Sequence, residues 1–263
     1  MSYQDILFDV RDSVAVITLN RPERLNAFTR QMRMDIFGAL EEVRSDTSIR
    51  CLMFTGAGRG FCAGADLGDA DDRANSDNVD MGLSLEQEYN PLVLALRDFS
   101  IPTVAAVNGP CAGAGMSLAL ATDIIIAGRS ASFLQAFCNI GLVPDAGSSW
   151  FLPRQVGRAR AAGMALLGER VPAETAAEWG LIWQCVDDDT LQDAAMAVAA
   201  KLANGPTRGL VMIRQALAAS QENDLPSQLD LERELQREAG RTDDFKEGVQ
   251  AFLEKRPANF QGR

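Results

Sequence analysis

The chain has 263 residues, of which 47% are hydrophobic and 23% are charged, a composition typical of a soluble globular protein with a sizeable core. Its 25 basic and 36 acidic side chains give a formal net charge of −11, which argues against nucleic acid as a main partner. There is no histidine, which excludes Ser-His and Cys-His nucleophiles and most catalytic zinc sites, so acid–base chemistry near neutral pH would fall to a carboxylate, tyrosine, lysine or cysteine.

The N-terminal segments alternate between strand and helix patterns. Residues 6–10 and 14–19 alternate and are rich in β-branched side chains, which predicts a hairpin. Thr29 can cap an amphipathic helix, and residues 51–55 form a short apolar run typical of a buried strand. The acidic stretch 69–80 is typical of a mobile excursion.

The centre of the chain repeats this alternation. We expect a helix at about 85–98, a strand at 103–107, a helix at 116–121 and a strand at 123–127. The loop 141–147 then leads into another helix. Recurrent strand, turn and helix units indicate an α/β core with mostly parallel strands.

The C-terminal part differs in composition. From Gly157 onward it is alanine-rich and helical, with only 181–186 resembling a strand. We predict an α/β core over residues 1–200 and a C-terminal helical region over 201–263. Amphipathic helices look alike whether their apolar faces pack within one subunit or between subunits, so both possibilities stay open from the pattern alone.

The cysteines and the absence of targeting patterns bear on location. Five cysteines occur with no CxxC pair, which favours buried, reduced thiols over a metal or redox site. No signal-peptide pattern and no run of 18 apolar residues is found, so we expect a cytoplasmic protein with no membrane partner.

Two loops rich in small residues, 61–67 and 112–115, each precede a predicted helix. Small residues let the backbone approach a ligand closely, and free N–H groups at a helix start favour negative charge. If the loops converge they would form an oxyanion hole, although tight strand-to-helix packing would explain either loop alone. Neither fits a dinucleotide or P-loop motif.

Asp145 follows Val143 and Pro144 in an apolar loop. Burial there would raise the pKa of its carboxyl toward neutrality and suit it to acid–base chemistry. A helix-capping aspartate is an equally good interpretation of the residue type and position. The residues alone leave both roles open.

Successive segments of the chain resemble the signatures of the enoyl-CoA hydratase/isomerase (crotonase) family, in the family's order. They are 20–27, 55–67, 106–115, 123–127, 141–147 and 251–260. The resemblance implies a crotonase-like spiral α/β core of β-β-α repeats with a C-terminal helical region that builds a homotrimer or homohexamer. It also implies an acyl-CoA thioester substrate, with coenzyme A as part of the substrate and no tightly bound cofactor or metal.

The resemblance also implies site residues. The backbone N–H groups of Ala65 and Ala114 correspond to the family's oxyanion hole. Seven positions correspond to residues that contact coenzyme A in the family: Arg24, Ala63, Ala65, Asp66, Leu67, Phe252 and Lys255. Phe252 and Lys255 correspond to residues that can reach the coenzyme A of a neighbouring subunit.

At two positions the residue type differs from that of the family's hydratases. Where those enzymes have two glutamates, this chain has Ser117 and Phe137, so the usual apparatus for adding water is absent. Asp145 stands where some family isomerases and a dehalogenase have an essential carboxylate.

Segments 89–93, 143–145, 176–184 and 228–236 further resemble the branch of the family that acts on epoxide CoA thioesters in phenylacetate catabolism. We therefore expect an isomerase that migrates a double bond or rearranges an epoxide to an oxepin, with Asp145 as acid–base. The alternatives are a hydratase with non-standard residues, a dehalogenase with Asp145 as nucleophile, and a non-catalytic acyl-CoA-binding subunit.

Overall fold

The structure, a computed structural model, describes residues 3–68 and 80–263. The acidic excursion predicted at 69–80 lies outside these residues except for Asp80. The strands are β1 (Ile6–Arg11), β2 (Val14–Leu19), β3 (Cys51–Gly56), β4 (Thr103–Val107), β5 (Pro110–Ala112), β6 (Ile124–Gly128), β7 (Ser132–Leu134), β8 (Val171–Pro172) and β9 (Gln184–Val186).

Helices connect most of the strands and make up the C-terminal part. The helices are α1 (Arg30–Ser45), α2 (Met81–Ser84), α3 (Asn90–Arg97), α4 (Ala114–Leu120), α5 (Ser148–Leu167), α6 (Ala173–Glu178), α7 (Leu191–Ala203), α8 (Thr207–Ala219), α9 (Leu225–Ala239) and α10 (Asp243–Glu254). A π-helical turn, Leu85–Tyr89, joins α2 to α3. None of the helices in the described part is both long and apolar enough to cross a membrane.

Six strands of the described residues form the main sheet in the order β1-β2-β3-β4-β6-β9. Strands β1 and β2 form the predicted hairpin, whose turn residues Asp12 and Ser13 have φ values of 47° and 66°. Positive φ at both turn residues matches the twist that two-residue hairpins favour. All other pairs in this sheet are parallel. The expected α/β class with mostly parallel strands is confirmed.

The apolar runs of β3 and β4 are explained by burial on both faces of the sheet. Every residue of β3 and β4 is buried. Helix α1 packs on one side, and α7 covers the other through Leu191, Ala195 and Ala199. Central parallel strands covered on both faces are expected to be continuously hydrophobic rather than alternating.

The helix expected at 85–98 begins earlier than predicted, at Met81. Asp80 caps it, since the Asp80 carboxylate accepts a hydrogen bond from Leu83 N at 3.2 Å. An acidic residue before an apolar run is a normal N-cap, but the preceding polar stretch concealed it.

The C-terminal part also differs in its bounds. The helix predicted after the loop 141–147 begins at Ser148, as expected, and Gly157 interrupts it with φ 75° and ψ 164°. The predicted strand 181–186 is shortened to β9 because Leu181 and Ile182 pack into the core instead. Helix α7 runs through the proposed boundary at residue 200, so the division into 1–200 and 201–263 stays a prediction.

Asn26 holds the segment after β2 against the loop after β3. Its backbone has φ 56°, a left-handed conformation that asparagine tolerates better than most residues. Its fully buried amide donates to the carbonyls of Ala57 (2.9 Å) and Gly60 (2.8 Å) and accepts from Arg21 N (2.8 Å). These three bonds fix the base of the loop that continues to Ala65.

Substituting Asn26→Ala should therefore destabilise the fold. Two backbone carbonyls and one backbone N–H would lose a hydrogen bond and a left-handed backbone would gain strain, so we expect a loss of about 2–4 kcal/mol in the free energy of unfolding. Urea denaturation followed by circular dichroism would measure it. Asn204→Ala is the matched control, because the exposed Asn204 amide bonds only Ala200 O of its own helix, and it should change stability by less than about 0.5 kcal/mol. Equal effects of the two substitutions would contradict this role of Asn26.

Candidate active site

A cavity of about 450 Å³ lies where the first small-residue loop, the start of α4, the π-helical turn and the segment before α5 meet. Its walls are largely apolar, with a few polar groups, which is the usual composition of a small-molecule site. The described residues that line it are Phe28, Arg33, Ala63, Gly64, Ala65, Asp66, Leu67, Met81, Gly82, Ser84, Leu85, Tyr89, Gly113, Ala114, Ala136, Phe137, Asn139, Ile140, Leu142, Val143 and Asp145.

The two small-residue loops converge, which the loop patterns alone had left open. A methyl group added at Gly64 would lie 3.1 Å from Ala112 O and 3.7 Å from Ala114 N. Gly64 has φ 102° and Gly113 has φ 50° with ψ −127°, conformations that glycine adopts far more easily than other residues. Glycine is thus required at this contact both for space and for backbone conformation.

Two backbone N–H groups are left unpaired at this contact. Phe28 N donates to Gly64 O (2.8 Å) and Asp66 N donates to Phe28 O (2.9 Å), an arrangement that leaves the N–H of Ala65 between them without a partner among the described residues. Ala114 is the first residue of α4, where an N–H has no acceptor within the helix. Both residues line the cavity, so a carbonyl oxygen placed there can accept two hydrogen bonds.

The carboxylate of Asp145 lies in the same cavity. Its Oδ1 atom is buried and has no hydrogen-bond partner within the described part of the chain. Burial raises the pKa of this carboxyl from 3.8 to about 6, because removal from water disfavours the charged form. An unpartnered carboxylate with a raised pKa inside a cleft is typical of a functional group.

The capping role considered for Asp145 is not what the structure shows. Helix α5 has Gly147 at its N-cap and no side-chain capping bond, and Asp145 contributes only its backbone O, which accepts from Ser148 N at 2.9 Å. The Oδ1 atom of Asp145 is buried, as its apolar loop suggested, although the apolar neighbours Ile140, Leu142 and Val143 line the cavity and are themselves exposed.

Ser117 replaces one family glutamate and is fully buried behind the cavity. Gln135 Nε2 donates to Ser148 Oγ (3.1 Å), Ser148 Oγ lies 2.7 Å from Ser117 Oγ, and Ser117 Oγ donates to the carbonyl of Asp145 (3.1 Å). In this order each hydroxyl accepts one hydrogen bond and donates one. The three side chains form a directed chain that ends on the backbone of Asp145.

Phe137 replaces the other family glutamate and forms an apolar wall of the cavity. The carboxylates among the described lining residues are those of Asp66 and Asp145. Asp66 pairs with Arg21, whose Nη1 lies 2.8 Å from Asp66 Oδ2. Among the described lining residues, Asp145 is therefore the carboxylate that has no ion-pair partner. Hydration of a C=C bond would need two acid–base groups.

The residues predicted to contact coenzyme A lie in two places, one set at or near the cavity and the other at the C-terminal end of the chain. Ala63, Ala65, Asp66 and Leu67 line the cavity. Arg24 is exposed and does not line the cavity. The segment that carries it contacts the loop 61–67, because Ala63 N donates to the carbonyl of Leu25, the residue after Arg24, at 3.0 Å.

Phe252 and Lys255 lie at the end of α10 and do not reach the cavity within this chain. Phe252 is 82% exposed and lines a separate hollow with Leu253 and Phe260.

Sequence reasoning missed the role of Arg33 and did not single out Tyr89. Arg33 Nη1 donates to Tyr89 Oη at 2.8 Å, and its guanidinium lies 4.5 Å from the centre of the Tyr89 ring. Arg33 also forms an ion pair with Glu88. One signal was present: Arg33 falls on the buried stripe of α1 with Met32 and Ile36, where a charge needs a partner.

Comparison with known proteins identifies the family of the chain. Residues 9–263 match the enoyl-CoA hydratase/isomerase family. The chain is 53% identical over 258 residues to 1,2-epoxyphenylacetyl-CoA isomerase of Escherichia coli K12, covering 98% of each. It is 49% identical over 263 residues to a protein of Rhodobacter capsulatus named "Probable enoyl-CoA hydratase", covering 100% of each.

A crystal structure of enoyl-CoA hydratase/isomerase from Cupriavidus metallidurans CH34 superimposes with a TM-score of 0.92 at 31% identity, covering 100% of this chain and 98% of the other. The crotonase-like fold with C-terminal helices, and the resemblance on which that prediction depended, are confirmed. The chain belongs to the enoyl-CoA hydratase/isomerase family.

Proposed function

We propose that the chain is an acyl-CoA isomerase that migrates a double bond, or rearranges an epoxide to an oxepin, with Asp145 as the acid–base. The observation that carries this proposal is the juxtaposition in one cavity of an unpartnered carboxylate and two unpaired backbone N–H groups. The 53% identity to 1,2-epoxyphenylacetyl-CoA isomerase supports this reaction and a role in phenylacetate-type catabolism. All five cysteines are free thiols, which supports a reducing, cytoplasmic location.

In the proposed reaction the thioester oxygen accepts hydrogen bonds from Ala65 N and Ala114 N. These bonds strengthen as negative charge develops on that oxygen, so they stabilise an enolate more than the ground state. Asp145 removes a proton from the α-carbon of a 3-enoyl thioester and returns it to the γ-carbon, which leaves a conjugated 2-enoyl thioester. Loss of one such donor in comparable sites costs roughly 3–4 kcal/mol of transition-state stabilisation.

The raised pKa of Asp145 suits this step. A carboxylate with a pKa of about 6 is a stronger base than an ordinary aspartate, yet it is still mostly ionised at neutral pH. Water addition would need a further group to activate water, and Ser117 and Phe137 do not supply one. The hydratase and the non-catalytic binding subunit remain distinct outcomes of the experiments below.

Replacing Asp145→Asn should abolish most turnover but keep the fold. We expect kcat to fall by about 10²–10⁴ because the amide cannot accept the proton. In the wild type, kcat/KM should fall as the pH drops through about 6, where Asp145 becomes protonated. An assay of the conjugated thioester across pH 5–8 would measure both effects.

The thermal stability of Asp145→Asn provides the control for its fold. Because the pKa of Asp145 is higher in the folded state than in the unfolded state, the ionised Asp145 carboxylate lowers the free energy of unfolding above about pH 6. This destabilisation is absent below the pKa of the unfolded state. The variant should therefore have a Tm at pH 8 no lower than that of the wild type. Near-normal turnover, or binding of a CoA thioester with no turnover even in the wild type, would contradict the assignment.

The enzyme should isomerise faster than it hydrates. With a 3-enoyl-CoA the ultraviolet absorbance of the conjugated thioester should increase, whereas with a 2-enoyl-CoA it should change little. The physical reason is that the described lining offers one carboxylate without a partner, Asp145, and no second group to activate water. Rapid loss of absorbance from the 2-enoyl-CoA would instead favour a hydratase.

Assembly forms part of the proposal, because the C-terminal helices expose apolar side chains. Phe252 and Leu253 are 82% and 73% exposed, and Leu217 and Leu225 are 65% and 70% exposed. Large apolar surfaces of this kind favour association. We propose a trimer or hexamer in which Phe252 and Lys255 of one subunit approach the coenzyme A bound to another.

Light scattering should accordingly report a trimer or hexamer in dilute buffer. Lys255→Ala should raise the Kd for a CoA thioester several-fold, because a cation near the nucleotide phosphates would be lost, while kcat stays within about twofold. Lys201→Ala is the matched control, since Lys201 is an exposed lysine near the end of α7. A fully active monomer would refute this arrangement.

A further inference from the structure

The π-helical turn Leu85–Tyr89 turns two successive side chains, Glu88 and Tyr89, toward the same partner, Arg33. Such turns are rare and occur often at functional sites. The ring of Tyr89 is fixed from two sides, by the Arg33 guanidinium over its face and by Phe28 at its edge, 6.2 Å between ring centres. Tyr89 is therefore held rigidly in the wall of the cavity.

The Tyr89 hydroxyl keeps a proton that no described residue accepts. A phenol has one proton, and Tyr89 Oη already accepts a hydrogen bond from Arg33 Nη1. Burial raises the pKa of Tyr89 to about 12, so the group remains a neutral donor at physiological pH. Tyr89 lines the same cavity as Asp145, although the two side chains are not hydrogen-bonded to each other.

The Arg33 charge is not available for an anionic ligand. Arg33 is almost fully buried and forms its ion pair with Glu88, which also lies 3.5 Å from the exposed Arg30. A buried guanidinium with a carboxylate partner is compensated and needs no further anion. Arg33 Nε is buried and has no hydrogen-bond partner among the described residues. The Tyr89 hydroxyl is a neutral donor in the same wall, which fits an uncharged oxygen.

We infer that Tyr89 donates a hydrogen bond to an oxygen atom carried by the acyl group, and so selects oxygen-bearing acyl groups over plain hydrocarbon ones. Ether-type oxygens, such as that of an epoxide or an oxepin, are the class that fits a neutral donor. A donor left unpaired in an apolar cavity penalises a ligand that cannot accept its hydrogen bond. This inference rests on the proposed isomerase function.

The test compares the kcat/KM values of two substrates in the wild type and in one variant. The kcat/KM values for 1,2-epoxyphenylacetyl-CoA and for 3-hexenoyl-CoA would be measured in the wild type and in Tyr89→Phe, which keeps the ring and removes the hydroxyl. We expect the ratio of the epoxide value to the enoyl value to fall by about 10–100-fold in Tyr89→Phe. The matched control is Tyr3→Phe, since Tyr3 bonds Glu42 at 3.0 Å away from the cavity, and its ratio should stay within about twofold of the wild type.

An unchanged ratio in Tyr89→Phe would overturn the inference. If that variant fails to fold, binding to the wild-type protein decides instead: 2-hydroxyphenylacetyl-CoA should bind about tenfold or more tightly than phenylacetyl-CoA, and equal Kd values would overturn it. These outcomes differ from those that would contradict the proposed isomerase function. In that case the wild type would convert neither thioester, or Asp145→Asn would stay active.

Discussion

The close approach of two backbone segments, at Gly64 and at Gly113, is the constraint on which the rest of the site depends. A side chain at either position would separate the loops or force a strained backbone. The parallel sheet brings the segments together, since β3 and β4 are neighbours and each leads into one of the loops. Because the donors are main-chain N–H groups fixed by this contact, they need no reorganisation when charge develops on a bound oxygen.

Ser117 connects this contact to Asp145. Its N–H donates to Gly113 O at 3.0 Å, and its hydroxyl lies 3.3 Å from the same carbonyl and 3.1 Å from the carbonyl of Asp145. The position that holds a glutamate in family hydratases thus holds a short side chain that joins the two parts of the site. A buried hydroxyl with three polar neighbours is well satisfied, whereas a glutamate there would bring a second buried charge close to Asp145.

Much of this could be predicted from the sequence, for reasons that differ between residues. The strand β4 and the hairpin were predicted closely because their patterns are local. The small-residue loops and Asp145 were singled out because residue type and order carry the family resemblance. The start of α2 was missed since its cap lies at the end of a polar stretch. The contact between Arg33 and Tyr89 joins residues 56 positions apart, and no periodicity encodes such a pairing. The roles of Phe252 and Lys255 depend on a neighbouring subunit, so neither the sequence pattern nor a single chain determines them.

The distribution of charge around the cavity explains how Asp145 can remain basic beside a buried arginine. An uncompensated guanidinium in the same cavity would favour the ionised carboxylate and lower its pKa. The ion pair with Glu88 offsets the charge of Arg33, and the shift of Asp145 is set by burial alone, in the upward direction. Arg33 can then orient the Tyr89 hydroxyl without weakening the base across the cavity. The charge of Asp145 adds to burial in raising the pKa of Tyr89, so the carboxylate helps to keep the hydroxyl a neutral donor in the same small space.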